Sequence, residues 1–253
     1  MMSVRRAVEL LYLDLWDALR PPAFDIMLLV VSVMAGALTV MEPVSSSLAA
    51  IAPSNGFNPV YMSLFVTTLY IALRSSSDLV NVIQGGVMQV YMAYPVSRRA
   101  VAAVLYVTRS LIPAVTLLGL PGLISAIILY PIVVRDPLDY LVMWGAYLLQ
   151  SQMYGAAFLL ISSRLRSPGA AMVASVSFYF GYVAVSTFIG LIGIMDGLEY
   201  MLRLSNAMGF YYALYYALTN TGEPLWTIFV VPTLYAIFMA SFFMYMVRRF
   251  EPA

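Results

Sequence analysis

Few residues in this chain can do chemistry. Its 253 residues include no histidine and no cysteine, and all thirteen basic residues are arginine. Without histidine the usual general base is missing, and with it the Ser-His-Asp triad and the His-Glu-x-x-His zinc site. Without cysteine there is no disulfide, thiolate nucleophile or cysteine metal site. Without lysine neither a P-loop nor a Schiff base can be built. No enzyme, metal site or bound cofactor is therefore expected. If ATP drives this chain, another polypeptide must hold the nucleotide.

The stretch whose spacing suits recognition runs from Gln84 to Arg99. Gly85 and Gly86 break a helix arriving from the N-terminal side, and Pro95 disfavours helical geometry at Tyr94. Between them Val87 to Tyr94 leaves room for a helix of about two turns, far too short to cross a bilayer. Arg98 and Arg99 follow at once and resist entry into hydrocarbon. The short helix is expected to lie at a membrane surface and to face another protein.

The elements that position it are apolar. Hydrophobic residues make up 62% of the chain, charged residues 10%, and the mean hydropathy is +0.89; a soluble domain carries roughly 25% charged residues. This is the composition of an integral membrane protein. The net charge of +1 gives no basic signal, and no nucleic-acid partner is expected. Residues 3 to 20 place Val4, Val8, Leu11, Leu15 and Leu19 on one helical face with Arg5, Arg6, Glu9, Asp14 and Asp17 interspersed, which predicts an uncleaved amphipathic helix lying in the interface and ended by Pro21-Pro22.

A spanning helix needs around 20 mostly apolar residues. Six stretches qualify, at about residues 24–41, 57–73, 101–134, 138–161, 170–195 and 225–247. Pro53-Ser-Asn-Gly56 marks a turn between the first two, and Gly119-Leu-Pro-Gly122 predicts a kink in the third. With the N-terminus inside, the cytoplasmic flanks hold Arg5, Arg6, Arg20, Arg74, Arg98, Arg99, Arg109, Arg164, Arg166, Arg248 and Arg249, and the outer side only Arg135 and Arg203. The positive-inside rule then puts both termini in the cytoplasm. Arg109 alone falls inside a span, where it is expected to snorkel to the inner interface. No acidic residue falls in the middle of a proposed span, and Asp78 is placed in a loop; a proton-coupled carrier has little to work with.

Residues 196 to 224 are too long and too apolar for a simple loop. The tyrosine-rich run from Met208 to Leu218 is helical in propensity yet too short to cross, so a re-entrant or surface-lying hairpin on the outer side is expected, either structured for function or serving as an aromatic belt. In the fifth span, Ala170, Ala174, Ser177, Gly181 and Ala184 stack along one face and permit close backbone approach. That seam suits a dimer contact, the wall of a substrate path, or packing within one subunit. Hydroxyls such as Thr67 and Thr68 can line a route or simply join helices.

Six spans with both termini inside, a leading amphipathic helix, an outer hairpin and a terminal Arg-Arg-Phe-Glu resemble the permease subunit of the type 2 ATP-binding-cassette (ABC) exporter family. That family commonly shows a glycine, eight residues rich in Leu and Thr, then Pro-Val-Ser-Arg. Here Gly86, Val87 to Tyr94, and Pro95-Val96-Ser97-Arg98 reproduce the spacing. Gln84 and Gln89 stand where the family often has acidic residues, and Arg109 is the nearest candidate for its basic residue early in span three.

The resemblance implies one permease domain over residues 1–253, an all-α integral membrane protein of the cell membrane. Residues 84–99 would form the coupling helix, which docks on a separate ABC ATP-binding subunit carrying ATP and Mg. Met88, Gln89, Met92 and Tyr94 would offer the docking surface, with Arg98 and Arg99 pairing either to acidic groups on the ATPase or to anionic lipid. Two permease subunits, alike or different, would form the pathway for a hydrophobic or amphipathic substrate moving outward. The competing class is an ATP-independent secondary transporter, and a scaffold is a third.

Overall fold

The computed structural model describes residues 2–19, 22–41, 59–93, 96–219 and 222–249. Among these the architecture is entirely helical. Helix α1 spans Met2–Ala18 and α2 Ala23–Met41; α3 spans Pro59–Tyr70, passes through a π turn at Ile71–Ser75 and continues as α4, Ser76–Gln84. Short α5 is Val87–Ala93; α6 is Arg98–Tyr106, followed by a second π turn at Val107–Leu111 and by α7, Ile112–Ile128. After α8 (Tyr130–Val133) come α9 (Pro137–Arg164), α10 (Pro168–Met195), α11 (Glu199–Met208) and α12 (Phe210–Leu218). A 3-10 turn at Leu225–Phe229 leads into α13, Val230–Arg249.

Among the described residues four helical stretches are long and apolar enough to cross a membrane: Ala23–Met41, Arg98–Ile128, Pro168–Met195 and Leu225–Arg249. The sequence counted six. The other two stretches do form long helices, the continuous run 59–84 and α9, but they are less apolar. The reason is their position. Residues 150–159 of α9 are all buried by protein, and Thr67, Thr68, Ser75, Ser76 and Asp78 on the 59–84 run are buried likewise. A helix shielded by its neighbours can carry polar groups that hydrocarbon would reject. The peripheral helices face outward with Leu29, Val33, Ile127, Phe188, Leu191 and Ile237.

The core runs as three stacked clusters. Leu10, Met88, Leu105 and Phe242 pack at the end that carries α1 and α5. Ile71, Ala114, Phe158 and Val231 fill the middle. Leu64, Leu118, Tyr147 and Tyr211 close the far end, beneath α12. Helix boundaries follow local chemistry: the hydroxyls of Ser97 and Ser167 accept from the N–H groups of Ala100 and Ala170 to cap α6 and α10. Helix α7 continues through Pro121, and its carbonyls at Leu118 and Gly122 accept from Trp144 Nε1 at 3.1 Å and Tyr140 OH at 2.8 Å. The stretch 42–58, with the turn expected at Pro53 to Gly56, lies outside the described residues.

Helix α1 turns the opposite way from a soluble amphipathic helix. Leu10 and Asp14 face the protein, while Val8, Tyr12, Leu13 and Trp16, the last 75% exposed, face outward. Glu9 is also on the exposed side, so of the carboxylates described on this helix one points in and one out.

Candidate functional site

Arg109 lies in the second π turn and is 1% exposed, and Asp14 is fully buried. Arg109 Nη2 donates to Asp14 Oδ1 at 2.8 Å, and its Nη1 donates to Asp78 Oδ2 at 3.3 Å. Asp78 is also met by Arg74 Nε at 3.0 Å, one helical turn away. Thr108 donates its hydroxyl to Asp14 Oδ2, and Tyr91 donates its own to Asp14 Oδ1 at 2.9 Å. Two arginines and two aspartates thus alternate in a formally neutral row. Taking one ion out of water costs several kcal/mol, so such a group survives only when every charge is paired and hydrogen-bonded.

Both arginines sit in π turns, at Ile71–Ser75 and Val107–Leu111, and the two turns touch. A π turn holds one extra residue and so resets which face the following side chains occupy; such turns recur at functional sites. Here they turn Arg74 and Arg109 toward the same carboxylate. The expectation that Arg109 snorkels to the interface is therefore corrected: it is enclosed and paired. Asp78 is corrected too, since it belongs to α4 and not to a loop. The physical reason is the same for both. Asp14 lies 95 positions and Asp78 31 positions from Arg109, and only packing brings them to it.

Helix α5 hangs from this cluster. Gly85 closes α4 with its N–H on the Asn81 carbonyl at 2.7 Å, and Gly86 adopts φ +79°, a left-handed turn that a side chain would strain. Seven residues of helix follow. Met88, 1% exposed, and Tyr91 face inward, whereas Val87, Gln89 and Val90 face out, Val90 at 58%. Val96 packs half-buried against the adjacent core, Ser97 caps α6, Arg98 is half-buried and Arg99 exposed. Of the residues the sequence assigned to docking, Met88 is thus turned into the protein and Gln89 outward. Tyr94, Pro95 and the side chain of Met92 lie outside the described residues.

The small-residue seam is not packed within the chain. Ala170, Ser177, Gly181 and Ala184 are exposed and Ala174 is half-buried, while the inner face of α10 is Ala171, Ser175, Tyr179 and Gly193. Ser175 meets Ser76 across the interface with α4 at 2.9 Å. Thr67 and Thr68 are buried, and neither hydroxyl finds a hydrogen-bond partner. They and the α10 seam occupy different faces and form no common wall.

Two polar residues escaped the sequence reading. Gln152 Oε1 accepts from Tyr106 OH at 2.6 Å and Ser110 Oγ at 3.2 Å, and Tyr106 also meets Tyr235 at 2.8 Å, which ties α6, α9 and α13 together. Gln150 Oε1 accepts from the Phe210 N–H at 2.8 Å and so satisfies the first turn of α12. Their signal was available: two amides midway along a mostly apolar helix call for partners. No protein-family model matches this chain, and no curated protein matches it.

Proposed function

We propose that this chain is the permease subunit of an ATP-driven exporter of the type 2 ABC class, coupled to a separate ATP-binding subunit. The observation that carries the reading is α5: a seven-residue helix, set off by a positive-φ glycine, that shows Val87, Gln89 and Val90 outward while Tyr91 anchors it to a buried ion row. A partner pressing on such an element moves the helices behind it rather than bending a loop. On this reading the helices at 23–41, 59–84, 98–128, 137–164, 168–195 and 225–249 all cross the cell membrane. Both termini and α5 are cytoplasmic, α1 lies in the inner interface, and α11 with α12 forms the outer hairpin. The docking surface is Val87, Gln89 and Val90 with Arg99 beside them, and Met88 supports it from behind.

ATP and Mg reside on the partner. Its closure would draw two permeases, packed through the exposed α10 seam, from one access state to the other. An ion-coupled carrier would instead need a titratable group facing a path, and Asp14 and Asp78 are each engaged by arginine.

Two measurements test this. Co-expression with ABC ATP-binding subunits from the same genome should yield a complex whose ATPase activity depends on the permease, and Val90→Asp should abolish the complex while leaving the thermal midpoint unchanged. Because the chain has no cysteine, Gln89→Cys and Tyr200→Cys report sidedness directly. An impermeant maleimide should label the second from outside intact cells and the first only after lysis. Labelling of both from one side, or no complex with any ATP-binding subunit, overturns the proposal.

A further inference from the structure

The chain holds nineteen tyrosines, and six of them surround one cavity. Tyr61 comes from α3, Tyr154 from α9, Tyr179 and Tyr182 from α10, and Tyr211 and Tyr212 from α12. The cavity volume is about 100 Å³, the scale of a small headgroup. It sits far from α5: Phe65, which also lines it, precedes Val87 by 22 positions along an almost unbroken helix, ~30 Å at 1.5 Å per residue.

The rings are set as walls. Tyr154 stands at 87° to Tyr179 and at 88° to Tyr182, with centroids 5.1 and 5.5 Å apart. Tyr61 meets Tyr211 at 65°, and Tyr211 lies 4.6 Å from Tyr212. Rings from four helices line this one space, and an aromatic face carries the negative part of a quadrupole. Among the residues that line the cavity none is charged. An anion would find no cationic donor there. Two of the hydroxyls have their protons engaged by backbone: Tyr182 OH donates to the Met208 carbonyl at 2.7 Å and Ser186 Oγ to the Ser205 carbonyl at 3.3 Å. Those two oxygens retain lone pairs, and Met208 also lines the cavity.

A lining of aromatic rings and hydroxyl oxygens without a formal charge suits one chemical class. We propose that this cavity binds the headgroup of an organic cation, a quaternary ammonium above all, through cation–π contact. A quaternary ammonium needs no hydrogen-bond acceptor and spreads its charge over methyl groups that match ring faces. Primary ammonium ions hydrate more strongly and bind less well in a cage that lacks a carboxylate. The site belongs to one chain and needs neither an ATPase nor transport to be occupied, so it goes beyond the permease reading and fails or stands separately from it.

The test is direct binding to the purified full chain in nanodiscs of phosphatidylethanolamine and phosphatidylglycerol. The probes are choline, tetramethylammonium and 3,3-dimethylbutan-1-ol, the uncharged isostere of choline, with titration followed by calorimetry and tyrosine fluorescence. Choline is expected to bind at least tenfold more tightly than its isostere. Tyr179→Leu should weaken choline at least tenfold while Tyr179→Phe retains it. Should Tyr179→Leu fail to fold, phenylalanines of increasing fluorination at position 179 keep the ring's size while draining its face, and affinity must fall along that series. Equal binding of choline and the isostere would mean a merely apolar pocket and overturns the assignment. So does the absence of saturable binding by either ammonium, or an affinity indifferent to fluorination.

Discussion

Tyr91 and Arg109 share one acceptor: both donate to Oδ1 of Asp14, at 2.9 and 2.8 Å. The carboxylate belongs to α1, the phenol to α5 and the guanidinium to the π turn between α6 and α7. Three elements are therefore pinned at one oxygen atom. A helix of seven residues has little stability of its own, since nucleation consumes most of what its few hydrogen bonds return. The shared acceptor, with Met88 in the core beside it, holds α5 at a fixed angle.

Removing the guanidinium should be costly. Arg109→Met leaves the buried Asp14 carboxylate with the Tyr91 and Thr108 hydroxyls but no countercharge, and breaking a buried pair from one side typically costs about 3–5 kcal/mol. Chemical unfolding in detergent should show that loss. Arg109→Met combined with Asp14→Leu should recover much of it, because the double variant leaves Asp78 with Arg74 and buries no lone charge at position 14. A wild-type midpoint for Arg109→Met alone would show that the row is not enclosed in the folded protein.

Tyr91→Phe keeps the ring and deletes one hydroxyl. Hydrogen bonds to charged groups contribute about 1.5–3 kcal/mol, and Asp14 retains Arg109 and Thr108, so the lower end of that range is expected. Hydrogen exchange localises the effect: the amides of α5 should exchange faster while those of α9 are unchanged. Equal loss of protection in both would mean that Tyr91 supports the whole bundle and not the short helix.

Gly155 is set by close approach. A Cβ there would collide with Ser110 Oγ and lie 3.1 Å from Ser110 Cβ, at the contact of α9 with the second π turn. Overpacking of this kind costs about 1–3 kcal/mol or more. Gly155→Ala should lower the thermal midpoint, and adding Ser110→Ala should restore part of it by removing the nearer atom.

Gln150→Leu tests how α12 is held. The Phe210 N–H would lose its side-chain acceptor, an unmade bond worth about 1–3 kcal/mol when buried. Exchange at Phe210 and Tyr211 should rise, with global stability falling less than for Gly155→Ala. Because α12 supplies two walls of the tyrosine cavity, choline affinity should fall in parallel.

The membrane character and the short helix before Pro95 were legible because both are written locally. A run of apolar residues meets the length of a bilayer wherever it sits, and two glycines stop a helix without outside help. The serine caps of α6 and α10 are local signals too, but they were not read: α10 starts at Pro168, two residues before the 170 expected, and α6 at Arg98, three before the 101 expected. Less legible were the 59–84 run and α9, whose polar residues lower their apolarity because neighbours shield them. Met88 read as surface because a methionine in a short exposed helix offers no sign of which side it takes; Leu10 and Phe242, packed in the same cluster, decided it.

By itself the sequence determined that this chain has no catalytic or metal-binding side-chain set based on histidine, cysteine or lysine, that it is helical, and that its arginines are unevenly distributed along it. Those conclusions rest on residue types and on periods of a few residues. Only the tertiary structure decided that Arg109 is enclosed between Asp14 and Asp78, that α1 turns Asp14 inward, and that tyrosines from α3, α9, α10 and α12 line one space. Charge pairing and ring packing act over a few ångströms in space between residues tens to more than a hundred positions apart in sequence, and no local period records them.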